Sequence, residues 1–205
     1  MEFLKGSGVA MITPFDEEGQ VDYTAIKRVV EHIISGGIDY IVVMGTTAET
    51  ATLTFEERSK VVALIVEVNN NRVPLVLGIG GNNTLAVVDT IKQTDLTAFK
   101  ALLSVCPYYT RPSQEGIYQH YAALSAASHL PIIVYNVPGR TSSNISAQTT
   151  IRLAKDFGNI VAIKEASGNL DQITEILLER PVDFQVLSGD DNLTFAMMAL
   201  GAEGV

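Results

Sequence analysis

Seven short apolar runs recur along the chain at nearly even intervals, and that rhythm leaves few folds open. VAMITPF (9–15), YIVVMGT (40–46), PLVLGIG (74–80), ALLSVCPYY (101–109), PIIVYNVP (131–138), IVAIKEASG (160–168) and FQVLSGD (184–190) begin 31, 34, 27, 30, 29 and 24 residues apart. They are almost continuously apolar instead of alternating, as parallel strands covered on both faces should be. Helical patterns fill the gaps. Ile26, Val29, Val30, Ile33 and Ile34 form one stripe that Gly36–Gly37 ends, and Thr54 with Glu57 predicts a capping box ahead of Val61, Leu64, Ile65 and Val68. Ser113 and Ser146 read as N-caps, and Ile173, Ile176 and Leu177 as a further apolar face.

An open doubly wound sheet shares this local pattern. Seven βα units, with an eighth strand beginning at GAEGV, favour a (β/α)₈ TIM barrel. Such barrels typically take about 250 residues, whereas this chain has 205. The expectation is a single domain over 1–205, an α/β barrel truncated within its eighth unit: either a fragment, or one in which something supplies the missing strand and helix, since an open barrel would leave strand edges bare.

Composition narrows the partners. The chain is 47% hydrophobic with a formal net charge of −9, which suits a globular domain with a substantial core and disfavours a nucleic-acid partner. No apolar run approaches the roughly 20 residues that span a bilayer, so no membrane partner is expected, and MEFLKGSGVAMITPF lacks the layout of a secretion signal. The single cysteine, Cys106, excludes an internal disulfide and fits a reducing cytoplasm.

Chemistry in a parallel barrel sits where strands end. Polar residues gather there: Thr46 and Thr47, Tyr108 and Tyr109, Tyr135 and Asn136, Lys164 and Glu165, Ser188 and Gly189. Lys164 stands inside an otherwise apolar strand and shares a face with Ile160, Ala162 and Ala166 by the period of two. Taken singly, each has a structural reading: Lys164 snorkelling or paired with Glu165, tyrosines with a wet hydroxyl, threonines capping a turn. Their convergence on one rim points to an amine nucleophile instead, because burial lowers a lysine's pKa and frees its lone pair for attack on a ketone.

Other features are weaker. GIGGNN (78–83) lacks the Gly-Lys-Ser/Thr of a P-loop, and close turn packing explains it better than phosphate binding. His32, His120 and His129 have no ligand spacing, so no metal site is expected. Asp190–Asp191 reads as a helix cap in preference to a cation site, and Cys106 as a small core residue.

GTTAETATL (45–53), CPYYTRPSQEG (106–116), YNVPGRT (135–141) and IKEASGN (163–169), followed by LSGDD (187–191), together resemble the dihydrodipicolinate synthase and N-acetylneuraminate lyase family of class I, Schiff-base lyases. The resemblance runs from GVAMITPF to the last residue. It implies that Lys164 forms an imine with pyruvate, with no separate cofactor, and that Tyr135 shuttles protons. It further implies that Thr46 relays between Tyr135 and Tyr109, that Tyr109 reaches into a neighbouring subunit's site, and that Thr47 and Gly189 hold pyruvate. Arg140 would bind the carboxylate of L-aspartate 4-semialdehyde, and its presence in PGRT favours condensation to 4-hydroxy-tetrahydrodipicolinate, in lysine and diaminopimelate biosynthesis, over cleavage of a sialic acid or keto-sugar acid. A homodimer or homotetramer is implied.

Two departures from the family pattern stand out: Ala48 replaces a common glycine, and Phe55, Arg58 and Ala86 replace two histidines and a glutamate of the family's lysine feedback site. Of that site Thr50, Ala51, Asn82 and Tyr108 remain candidates. The family also adds a C-terminal helical region. A competing reading from another class is a barrel fragment without catalysis that serves as an assembly module.

Overall fold

The structure, a computed structural model, describes residues 1–205. Strands β1 (Gly8–Ala10), β2 (Tyr40–Val43), β3 (Leu75–Gly78), β4 (Ala101–Val105), β5 (Ile132–Asn136), β6 (Ile160–Glu165) and β7 (Gln185–Ser188) pair in chain order, every pair parallel. Helices α1 (Tyr23–Ser35), α2 (Phe55–Asn69), α3 (Thr84–Gln93), α4 (Gln114–Ala127), the single turn α5 (Pro138–Thr141), α6 (Ala147–Asp156), α7 (Leu170–Glu179) and α8 (Thr194–Leu200) fill the crossovers. No helix is long and apolar enough to cross a membrane.

Local chemistry sets the helix starts. Thr54 and Glu57 make the expected reciprocal cap on α2, with Glu57 N–H donating to Thr54 Oγ1 at 3.2 Å and Thr54 N–H donating to Glu57 Oε2 at 2.8 Å. Asp22, Ser113 and Ser146 cap α1, α4 and α6. Asp190 and Asp191 do not cap α8, contrary to expectation: Leu193 holds that position, and Asp190 instead accepts from Asn192 N–H in a local turn.

Two apolar layers explain the continuous runs. Ile41 and Val43 face the helices in a cluster of 37 buried residues, while Tyr40 and Val42 face the barrel interior in a second cluster of 11. Both faces of β2, β5 and β7 are buried along their whole length, which leaves no room for polar alternation. Strands stop earlier than the apolar runs do. β2 ends at Val43 because Met44 turns to a positive φ of 58°, and β1 ends at Ala10, ahead of Pro14, which has no N–H to offer a ladder. Thr46, Thr47, Tyr108, Tyr109 and Gly189 therefore sit in loops just past their strands.

The chain's own last residues supply partners for the strand edges on either side of the eighth position. Gly8 N–H donates to Val205 O at 2.7 Å and Val205 N–H to Gly6 O at 2.9 Å. On the other side Ser188 N–H donates to Gly204 O at 2.8 Å and Glu203 N–H to Val186 O at 3.0 Å. Residues 203–205 thus stand in the eighth position and join β7 to the chain entering β1, closing the ring where the unpaired groups would otherwise be costly.

Candidate active site

β5 and β6 build the centre of the site. Their register sets Tyr135 opposite Lys164 and Asn136 opposite Glu165. Tyr135 points inward and is 8% exposed, packed with Ala162 and Leu187. Lys164 Nζ stands 5.2 Å from the Tyr135 ring centroid. No carboxylate lies within ion-pair distance of it; the ion pairs of the chain are elsewhere.

One detail of β6 departs from the simple alternation. The register slips at Ile132/Ile133, so that Ile160 pairs with Ile132 but Ala162 pairs with Ile133. That bulge turns Ile160 into the outer layer, while Ala162 and Ala166 pack with the inner one beside Lys164. The two alanines still leave the lysine short neighbours. Glu165 is not the partner of Lys164; it points outward and is fully buried.

Burial lowers the Lys164 pKa, against a smaller opposing pull from the Asp191 carboxylate. Burial likewise raises the Tyr135 phenol, and the Arg140 guanidinium offsets part of that rise. The pair is thereby biased toward a neutral amine beside a protonated phenol, the arrangement in which one adds to a carbonyl and the other donates a proton. Arg140 lies on α5, exposed, with no ion-pair partner of its own. Pro138 at the helix start and the left-handed Ser142 at its end fix this turn, and Thr141 Oγ1 donates to Ser143 O at 2.8 Å.

Gly189 meets Lys164 directly. A Cβ there would fall 3.0 Å from Lys164 Cγ and Cε, so only glycine lets the β7 loop lie against the lysine stem. GIGGNN shows the same constraint: a Cβ on Gly78 would lie 2.1 Å from the Met44 carbonyl oxygen, in keeping with close turn packing.

Thr46 and Thr47 open a short 3₁₀ turn after β2 and are exposed. No hydrogen bond joins Thr46 to Tyr135 or Tyr109 within the single chain. Tyr109 is 86% exposed at a left-handed φ of 72°. Thr50 and Ala51 lie in a short 3₁₀ turn and Asn82 and Tyr108 in loops, and no side-chain hydrogen bond joins them; Phe55, at the start of α2, is also exposed.

Neither the cap nor the cation site that sequence suggests for Asp191 describes its effect on the lysine, which follows from SGDD leaving the strand next to β6. The sequence reading also gave Asn136 no role.

The family model described as Dihydrodipicolinate synthetase family matches residues 3–205. The chain belongs to this family. It is 54% identical over 202 residues to the 4-hydroxy-tetrahydrodipicolinate synthase of Parabacteroides distasonis, covering 98% of this chain and 68% of the relative. The crystal structure of dihydrodipicolinate synthase from Aquifex aeolicus superposes with a TM-score of 0.92 at 45% identity, over 98% of this chain and 68% of that one. The chloride-inhibited dihydrodipicolinate synthase from Acinetobacter baumannii, complexed with pyruvate, gives 0.93 at 41% identity, over 98% and 69%. These relatives establish the TIM-barrel fold, of which this chain spans about two thirds of the family's length.

Proposed function

We propose that the chain is a 4-hydroxy-tetrahydrodipicolinate synthase that condenses pyruvate with L-aspartate 4-semialdehyde through an imine on Lys164. The observation that carries this is the inward lysine, unpaired and desolvated, beside the phenol of Tyr135 on the adjacent strand. The neutral amine adds to the keto carbon, and the carbinolamine hydroxyl leaves as water with a proton from Tyr135. The iminium draws electrons from the methyl group, whose proton returns to the tyrosinate, and the resulting enamine carbon attacks the aldehyde. The aldehyde oxygen takes the proton back. The substrate's own amine then displaces Lys164 from the imine, closing the ring with net loss of one water.

The other roles follow from placement. Arg140, a free guanidinium at the rim, suits the carboxylate of the semialdehyde. Thr47, in the turn after β2, and Gly189, against the lysine, hold pyruvate. Thr46 passes protons between Tyr135 and a Tyr109 donated by a second copy, which gives the exposed Tyr109 a purpose and makes a homodimer or a homotetramer the working form. No group beyond the covalent imine is required. Phe55 and Ala86 stand where charged or imidazole groups would hold lysine, so Thr50, Ala51, Asn82 and Tyr108 form at most a weak feedback site. The reducing cytoplasm suits the free, buried Cys106.

The test is a turnover comparison in which pyruvate is paired either with aspartate semialdehyde or with N-acetylmannosamine. Faster use of the semialdehyde, lost in Arg140→Ala through a raised KM, is expected. Faster use of the sugar refutes the assignment.

A further inference from the structure

Behind the catalytic pair, on the outer face of the same two strands, lies a closed circuit of amides around one carboxylate. Glu165 is fully buried and has no cation within ion-pair distance. Its Oε1 accepts from Asn136 Nδ2 at 3.1 Å and Ser167 N–H at 2.8 Å, and its Oε2 from Asn136 Nδ2 at 3.1 Å and Gln172 Nε2 at 3.0 Å. Asn136 Nδ2 also donates to Asn144 Oδ1 at 2.9 Å, Asn144 Nδ2 donates to Gln172 Oε1 at 2.8 Å, and Asn136 Oδ1 accepts from Ile145 N–H at 3.0 Å. Every group facing Glu165 is a donor. The circuit therefore fits the ionised carboxylate and offers no acceptor to a carboxylic acid, although burial alone pulls its pKa upward.

We propose that Glu165 is a positioning residue for imine formation, its buried anion clamping β5 to β6 so that Tyr135 and Lys164 keep their spacing. This role rests on the imine chemistry proposed above. Asn136 and Glu165 are register partners one residue beyond Tyr135 and Lys164, so what holds the outer pair sets the distance between the inner pair. Ser167 and Gln172 tie the following loop and α7 to the same point.

The hydrogen-bond polarity provides a test that a generic core residue would not pass. Glu165→Gln preserves size, yet its NH₂ faces two donors whichever way it is turned. Flipping Gln172 and Asn144 passes the mismatch on to Asn136, which cannot flip because Ile145 N–H holds its oxygen. Asn136→Asp in the same chain resolves it. The amide introduced at position 165 would donate to Gln172, Gln172 to Asn144, and Asn144 to the carboxylate introduced at position 136, reversing the circuit with every group satisfied. The readout is the rate of pyruvate adduct formation on Lys164 under cyanoborohydride, per folded molecule, across pyruvate concentrations.

Glu165→Gln is expected to lower the maximal rate about 10- to 100-fold, as sub-ångström misplacement does, with half-saturating pyruvate changed less than about threefold. Asn136→Asp alone is expected to be at least as slow, because it sets two carboxylates face to face. The double exchange is expected to recover at least about tenfold. A Glu165→Gln rate equal to the parent's overturns the proposal, as does a double exchange no faster or no better folded than the single variant. A parent chain that forms no adduct refutes the imine chemistry itself, a result distinct from either.

Discussion

Replacing Gly189 by alanine adds one methyl group at the tightest contact of the site. The new Cβ falls 3.0 Å from each of Lys164 Cγ, Lys164 Cε and Ala166 Cβ. Unstrained carbon pairs sit about 3.5–4.0 Å apart, so each contact has to open by about half an ångström or more. Ala166 Cβ is anchored on the backbone, and Gly189 N–H is tied to Glu165 O at 2.8 Å, so the lysine stem is what yields. Overpacking of this kind costs about 1–3 kcal/mol, or about 3–10 °C in Tm for a chain of this size. The more specific effect is on rate. Misplacing a reacting group by 1 Å costs on the order of 100-fold, so half that displacement costs about tenfold. Quenched time courses of pyruvate adduct formation, read by intact mass beside circular-dichroism melts, measure both. Adduct formation at the parental rate would refute the reasoning, because it would mean that the lysine reacts from a position this contact does not govern.

Three further outcomes follow from the same geometry. Tyr135→Phe keeps the ring that packs in the inner layer and removes the hydroxyl; turnover is expected to fall about 100-fold or more with Tm within a few degrees of the parent's, and retained turnover contradicts the proton role. Asp191→Asn removes the charge that holds the Lys164 pKa up against burial, so the acid limb of the adduct rate-against-pH curve should move to lower pH; a move to higher pH contradicts the placement. Buried His120, whose Nδ1 lies 2.8 Å from Thr84 Oγ1, has its pKa pushed down by burial to about 4. The unfolded chain takes up this proton below about 6.5 while the folded chain resists until about 4, so stability is lost as pH falls through that window, by about 3 kcal/mol in all. Urea melts across that range should show the loss, and His120→Gln should flatten it; an unchanged slope in the variant assigns the loss elsewhere.

Much of this architecture was legible in the chain because it rests on local rules. The seven apolar runs became seven strands, and Thr54, Ser113 and Ser146 became caps, since a cap depends on residues within one turn. Lys164 and Tyr135 were legible as inward residues near strand ends. Their partnership was legible only through the family resemblance, because strand register is a tertiary property that spacing does not carry. The bulge that turns Ile160 outward was invisible for the same reason. Glu165 was weighed as a partner for Lys164 from adjacency alone, although neighbours on a strand point to opposite faces and only the folded arrangement supplies the amides that surround it. Asp191 belongs to the LSGDD motif, yet its effect on Lys164 needs β7 placed beside β6. The pairing of residues 203–205 with β1 joins the two ends of the chain, which no window of sequence contains.

The central claim is that one desolvated amine makes the carbon nucleophile. Treating the chain with pyruvate and borohydride, digesting it and sequencing the modified peptide tests that claim most directly. The account predicts a single reduced adduct on Lys164, absent from Lys164→Ala. Equal labelling of that variant, or an adduct confined to another lysine, would contradict it.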